Sequence, residues 1–134
     1  MSTVQNLSRK PRFFTNAIEY PNGAPHLGHA YEKILCDVSA RYHRLQGRPV
    51  LLSLGLDEHS QNVVAAAKKA GQRANAYCDS LETVYRDTWR AVDIDTHDFI
   101  RTSTPQHRAV VESLLRRSHP DTHAAHTHPN RRGG

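Results

Sequence analysis

The segment Val50-Leu51-Leu52-Ser53-Leu54 runs apolar, without the polar alternation of a strand that keeps one wet face. That pattern belongs to a strand covered on both faces, the usual condition of a parallel sheet wrapped by helices. Upstream, Arg12 to Ile18 reads Arg-Phe-Phe-Thr-Asn-Ala-Ile, rich in β-favouring side chains, and gives way to the turn signal Tyr20-Pro21-Asn22-Gly23. Between the two strands, Ala30, Ile34, Val38, Tyr42 and Leu45 recur at steps of three and four, while Glu32, Lys33, Asp37, Arg41 and Arg44 fall largely off that stripe. The spacing predicts an amphipathic helix from Leu27 to Gln46 with those residues as its apolar face, stopped by Gly47 and Pro49. Strand, helix and strand make one βαβ unit, so the expected class is α/β.

Further along, Ser60 is placed to cap a helix running through Val63, Val64, Ala67 and Ala70 and ending at Gly71. A third helix follows, with Ala74, Tyr77, Cys78, Leu81, Val84, Tyr85, Trp89 and Val92 on one broad face and Asp79, Glu82, Arg86 and Arg90 mostly off it. Asp98 to Thr102 reads as a short strand. Thr104-Pro105 is an N-cap and first-position pair opening a last helix through Val110, Val111, Leu114 and Leu115, which has little sequence beyond it to pack against. Residues 1–11 read as an unstructured basic lead-in; Arg9, Lys10 and Arg12, with no acid among residues 1–18, weakly resemble an organelle transit segment. After Ser118 the apolar periodicity stops and residues 119–134 are expected to be a disordered tail. Its histidines, His119, His123, His126 and His128, are suited to opportunistic chelation and not to a specific metal site.

With 134 residues and 37% hydrophobic content, the chain can build one core and not two. Its 18 Lys and Arg against 13 Asp and Glu leave a net charge of +5, which favours a polyanionic partner, phosphate in some form. Cys36 and Cys78 have no C-x-x-C spacing, so reduced thiols of a cytoplasmic protein are expected, without a disulfide framework or zinc site. No run approaches the roughly 20 apolar residues of a membrane span, and no membrane partner is expected.

In a βαβ unit, ligands gather at the C-terminal ends of the strands, beside the N-terminus of the crossover helix. Three pieces of sequence meet there: Ile18 and Tyr20 after the first strand, His26-Leu27-Gly28-His29 at the helix start, and Gly55-Leu56-Asp57-Glu58-His59 after the second strand. His26 and His29 are three apart and project on one face beside free backbone N–H groups and the positive end of the helix dipole, which attract phosphate. Gly28 removes a side chain and lets a flat ligand such as a purine lie against the backbone. The arrangement suits a nucleoside triphosphate. Taken alone, the same pair also reads as surface histidines or metal ligands, and Asp57-Glu58-His59 as a solvated loop.

Pro25-His26-Leu27-Gly28-His29 resembles the His-x-Gly-His signature of class I aminoacyl-tRNA synthetases. Thr15 to Gly23, Asp37 to Gly47, Asp57-Glu58-His59 and Asp98 to Ser103 together are similar to the methionyl-tRNA synthetase pattern, over residues 12–118. The resemblance implies the N-terminal half of a Rossmann-like, doubly wound parallel sheet with flanking helices, incomplete within residues 12–118. It implies that His26 and His29 are catalytic, binding the ATP phosphates and stabilising the transition state; that Gly28 gives the adenine room; that Glu32 lies near the nucleoside; that Asp57 holds the methionine ammonium; and that Ile18 and Tyr20 contact the amino acid. The implied substrates are methionine, ATP with Mg2+, and tRNA. The implied reaction joins the methionine carboxylate to the α-phosphorus of ATP and then passes the methionyl group to the tRNA 3′ end. That first step needs no general base, because a carboxylate is already ionised at neutral pH, and catalysis reduces to alignment and charge stabilisation.

The sequence departs from the family in two small ways: Ser60 stands where Gly is common, and Glu19 where Pro or an apolar residue is commoner before the tyrosine. Neither removes a catalytic group. The larger departure is that these residues contain no Lys-Met-Ser-Lys-Ser-type loop, second nucleotide-binding half, anticodon-binding domain or zinc-knuckle cysteines. A site lacking its far wall is expected to show little aminoacylation by itself, and a truncated or frame-shifted product is the corresponding expectation for the gene. The core is also expected to be marginal, for want of strands beside Val50–Leu54. The alternative from a different class is a non-catalytic RNA- or protein-binding module that keeps only the fold.

Overall fold

The computed structural model describes residues 10–94 and 98–118; most of the basic lead-in and all of the His-rich tail lie outside the described residues. The elements run β1 (Arg12–Thr15), α1 (Leu27–Leu45), β2 (Val50–Leu56), α2 (Gln61–Lys69), α3 (Ala74–Ala91), β3 (Asp98–Arg101) and α4 (Pro105–Ser118). The three strands form one parallel sheet in the order β1-β2-β3, with Arg12 opposite Val50 and Ser53 opposite Asp98. The chain divides into two units: Met1–Ser103 holds the sheet and its three helices, and Thr104–Gly134 holds α4.

β2 is the central strand. The expectation that Val50–Leu54 lacks neighbours is therefore overturned: β1 pairs along one side of it and β3 along the other. Side chains alternate across a strand, and Leu52, Leu54 and Leu56 are all buried on one face, packed with Ala40 of α1 and with Leu81, Tyr85, Trp89 and Ile94. On the other face Ser53 and Gly55 are buried, but Leu51 stays 44% exposed beside its partner Phe13 at 63%. Burial on both faces thus holds for the C-terminal half of the strand and fails at Leu51. Gly55 is required by its surroundings: a Cβ there would run into the Ile100 carbonyl oxygen on β3 and lie 3.1 Å from its carbon.

The helix ends follow the expected local chemistry. Gly47 and Gly71 follow α1 and α2 with φ of +71° and +67°, the left-handed conformation that side chains resist. Ser60 Oγ caps α2 by accepting from Asn62 N at 3.2 Å, and Thr104 Oγ1 does the same for α4 from His107 N at 3.3 Å. α3 buries Cys78, Leu81, Tyr85 and Trp89, whereas Val84 and Val92 at the margins of the expected face remain exposed. In α4, described by itself, Val110, Val111, Leu114 and Leu115 are all exposed.

The face of α1 differs from expectation. The buried positions are Lys33, Asp37 and Ala40, while Ile34, Val38, Tyr42 and Leu45 of the apolar stripe are 40%, 58%, 58% and 88% exposed. The periodicity correctly gave a helix, but of its stripe Ala30 alone packs partly against the core. Specific bonds to residues outside the helix hold the polar side inward: Lys33 Nζ ion-pairs with Glu19 and donates to Ala17 O at 2.9 Å, and Arg41, bonded to Asp37 on the same helix, reaches Asp93 Oδ2 at 3.5 Å. Among the described residues no helix is long and apolar enough to cross a membrane.

Candidate active site

At the N-terminus of α1, His26 is the N-cap in an extended conformation and His29 is the third helical residue. His26 Nδ1 accepts from Gly28 N at 3.1 Å and from His29 N at 3.4 Å; His29 Nδ1 accepts from His26 N at 3.2 Å. This is a capping box built from two imidazoles, which satisfies helix-end donors that otherwise lack partners. The rings stack, with centroids 3.6 Å apart and planes 17° from parallel. Because both Nδ1 atoms accept, a ring in its neutral form carries its proton on Nε2, which places an N–H donor on each ring at the positive end of a helix.

Two expectations change in detail. The N–H groups of Gly28 and His29 are not free for a phosphate, since His26 Nδ1 occupies them. The small residue at position 28 also has a nearer cause than a purine: a Cβ there would sit 3.0 Å from His26 Cε1 and 3.1 Å from its Nδ1. Gly28 thus makes room for the capping ring.

Burial lowers the pKa of His29 below the usual imidazole value of 6.5, with the neighbouring His26 ring acting in the same direction. Nearby Glu19 and Glu32 oppose this without reversing it. A neutral His29 fits the bonding, because protonated Nδ1 could not accept from His26 N.

The strand ends assemble the rest. After β1 the chain returns to the sheet at Glu19, which bridges Leu56 in parallel fashion, and Asp57 N donates to Glu19 O at 2.8 Å. Ile18 and Tyr20, 38% and 49% exposed, thus flank the residue bonded to Asp57. The half-buried Asp57 accepts from His59 N at 3.3 Å through Oδ1. Glu32 is exposed on the first turns of α1, within electrostatic reach of His29. Ile18, Tyr20 and Asp57 are therefore joined by backbone contacts, while the helix pair connects to them through Lys33, one turn beyond His29, and Glu19.

The turn after β2 is held by the exit of β3. Glu58, 8% exposed, receives Arg101 Nε at 2.7 Å and the Ser103 hydroxyl, while Glu58 N donates to Thr102 Oγ1 at 2.8 Å. Arg101 also reaches Asp79 and Glu82, each at 2.7 Å. Burial works against its charge, but the bonds to Asp79 and Glu58 outweigh that and raise its pKa. A separate cavity of about 590 Å³ lies among Arg41, Arg86, Trp89, Arg90, Asp93, Ile94 and Phe99, away from the two histidines.

Sequence reasoning misses Glu19 and Lys33, since the one reads only as a small departure from the family and the other only as a charge off the apolar stripe of α1. Both are buried, at 7% and 0% exposure. The available signal was spacing: Lys33 follows His29 by four and precedes Asp37 by four, one continuous helix face. Arg101 was seen only as part of a motif; its three carboxylate partners come from α3 and the β2 turn, a juxtaposition that spacing does not show.

Comparison with known proteins identifies the family and the fold. The family model of class I tRNA synthetases (M) matches residues 12–128, further along the chain than the motifs alone suggested. A methionine–tRNA ligase of Deinococcus radiodurans is 43% identical over 106 residues, covering 78% of this chain and 16% of that protein. One from Streptococcus pyogenes is 41% identical over 107 residues, covering 80% of this chain and again 16% of the relative. The solved Mycobacterium tuberculosis methionyl-tRNA synthetase in complex with methionyl-adenylate superposes with a TM-score of 0.81 at 38% identity, covering 85% of this chain and 22% of that one. The three-stranded parallel sheet with its flanking helices is accordingly part of a Rossmann-like catalytic domain. The chain spans about a sixth of the length of these curated relatives, and within that span it belongs to the class I tRNA synthetase family of the methionyl type.

Proposed function

We propose that this chain carries the methionine half-site and the ATP-phosphate half-site of a methionine–tRNA ligase. The observation that carries the reading is the imidazole pair at the start of α1, stacked at 3.6 Å, with both Nδ1 atoms engaged by backbone N–H groups, which assigns the donor of each neutral ring to Nε2. Donors fixed in this way need no reorganisation when charge develops on a phosphate, the condition under which hydrogen bonds accelerate phosphoryl chemistry most.

In this reading methionine lies along the Ile18–Tyr20 segment, with its ammonium on Asp57 and its side chain against Ile18 and Tyr20. The carboxylate attacks the α-phosphorus of ATP, forming a phosphorus–oxygen bond as the bond to pyrophosphate breaks. His26 and His29 bear on the phosphate oxygens and Glu32 on the nucleoside, while Gly28, whose missing side chain leaves space for the capping ring, also leaves room for the adenine. Transfer to a tRNA 3′ end belongs to the same proposal, as does a cytoplasmic setting, in keeping with the free thiols of Cys36 and Cys78. Mg2+ would arrive on the triphosphate: among the described residues no group of three His, Cys, Asp or Glu side chains is poised to hold a metal. An acid lacking the amino group would leave the Asp57 carboxylate unpaired, which is how the site would reject it.

The test is calorimetric titration with a non-hydrolysable methionyl-adenylate analogue. Binding is expected for the chain and should weaken at least about 30-fold in Asp57→Ala and His29→Ala, about 2 kcal/mol each for a lost charge-assisted hydrogen bond. Tight RNA binding indifferent to both substitutions, without analogue binding, would place the chain in the class of non-catalytic binding modules.

A further inference from the structure

Lys33 has no exposed surface, and Glu19 only 7%. From inside the fold, Lys33 Nζ pairs with Glu19 Oε1 and donates to Ala17 O at 2.9 Å. One ammonium therefore grips the chain on both sides of Ile18. The segment alternates strictly, with Ile18 and Tyr20 exposed and Glu19 and Pro21 buried, so the grip acts from behind on the two side chains assigned to methionine. From the strand side, Glu19 O accepts from Asp57 N at 2.8 Å. Lys33 itself stands four residues beyond His29 on α1.

We propose that Lys33 and Glu19 are positioning residues, a buried clasp that fixes the methionine-binding segment Ile18–Tyr20 and the adjoining Asp57 turn against the helix presenting His26 and His29. The proposal rests on the functional reading above for its ligand and on geometry for its mechanics.

The competing account is a stabilising ion pair. Desolvating two charges generally costs as much as their attraction returns, so an apolar pair of similar volume would serve stability at least as well. Here Glu19 Oε2 is also buried without a hydrogen-bond partner among the described residues, a desolvation that adds to the cost of the pair. An apolar pair would fill the space but could not hold the Ala17 carbonyl or the Glu19 backbone in a fixed direction, which is what positioning needs.

The experiment uses the full 134-residue chain and the double variant Glu19→Leu/Lys33→Met. Thermal unfolding, amide hydrogen exchange and calorimetry with ATP and with the methionyl-adenylate analogue are compared with the parent. Positioning predicts a melting temperature at or above the parent's, protection of the Asp57 amide reduced at least tenfold relative to that of Leu54, and analogue affinity reduced at least tenfold with ATP affinity changed less than twofold. Unchanged Asp57 protection, or analogue and ATP affinities falling together, would overturn it. If the parent binds no analogue, the functional reading falls, and exchange at Asp57 still decides the clasp. Should the double variant fail to fold, Lys33→Arg, which keeps the charge but displaces the donor, is judged by the same ratios.

Discussion

Protonating His29 at Nδ1 would break its bond from His26 N and place charge in a partly desolvated position. A group whose folded pKa is lowered binds more protons unfolded than folded, so stability rises with pH through that window. The contribution of His29 is therefore complete above about 6.5, the unfolded value, and is lost as pH falls through the depressed folded value. An imidazole titration followed by NMR should give a His29 midpoint below 6.5, moving part of the way back in His26→Ala because burial, the larger cause, remains. Gly55 is the second residue where one atom decides the outcome. Gly55→Ala sets a methyl against the Ile100 carbonyl, and forcing that overlap into a packed strand pair should cost on the order of 3 kcal/mol. Urea unfolding measures this directly; a loss under 1 kcal/mol would mean that β3 yields easily.

Among the elements, α1 shows how far periodicity reaches. A stripe of apolar residues at three- and four-residue steps forms a helix whichever way the helix faces, since local propensity and hydrogen bonding are indifferent to neighbours. What turned Lys33 inward was the position of Glu19 and Ala17, and what turned Ala40 inward was the core cluster around β2, none of which the stripe encodes. The facing can be tested. Val38→Lys, at a position 58% exposed, should change stability by less than about 0.5 kcal/mol. Ala40→Lys, at a position with no exposure in the core cluster, should abolish cooperative unfolding. If the two substitutions cost the same, the facing described for α1 is wrong. Cys78 and Tyr85 on α3 show the opposite case: burial pushes their pKa values up to about 11 and about 12, and both remain neutral packing groups as their spacing suggested.

At the scale of the molecule, the sheet is closed by Arg101. It ties the end of β3 to Glu58 after β2 and to Asp79 and Glu82 on α3. Arg101→Ala would leave the Glu58 carboxylate, 2% exposed at its side chain, without its ion-pair partner. Breaking a buried pair from one side typically costs about 3–5 kcal/mol, so chemical denaturation should show a loss of that order, with the Asp57 turn loosened along with it. The amino-acid sequence by itself determined the element order, the capping of α2 and α4, the glycine stops of α1 and α2, and the pieces that gather at the strand ends. These follow from backbone conformation and from neighbours within a few residues, which any local reading contains. Only the tertiary structure decided that β2 is central, that α1 shows its apolar stripe to solvent, that His26 spends its Nδ1 on the helix, and that Glu19, Lys33 and Arg101 are buried. Each of these depends on partners 14 to 45 residues away or on which ring nitrogen finds a donor, and burial of a charge is settled by where its counter-charge arrives in space, a property that no spacing along the chain records.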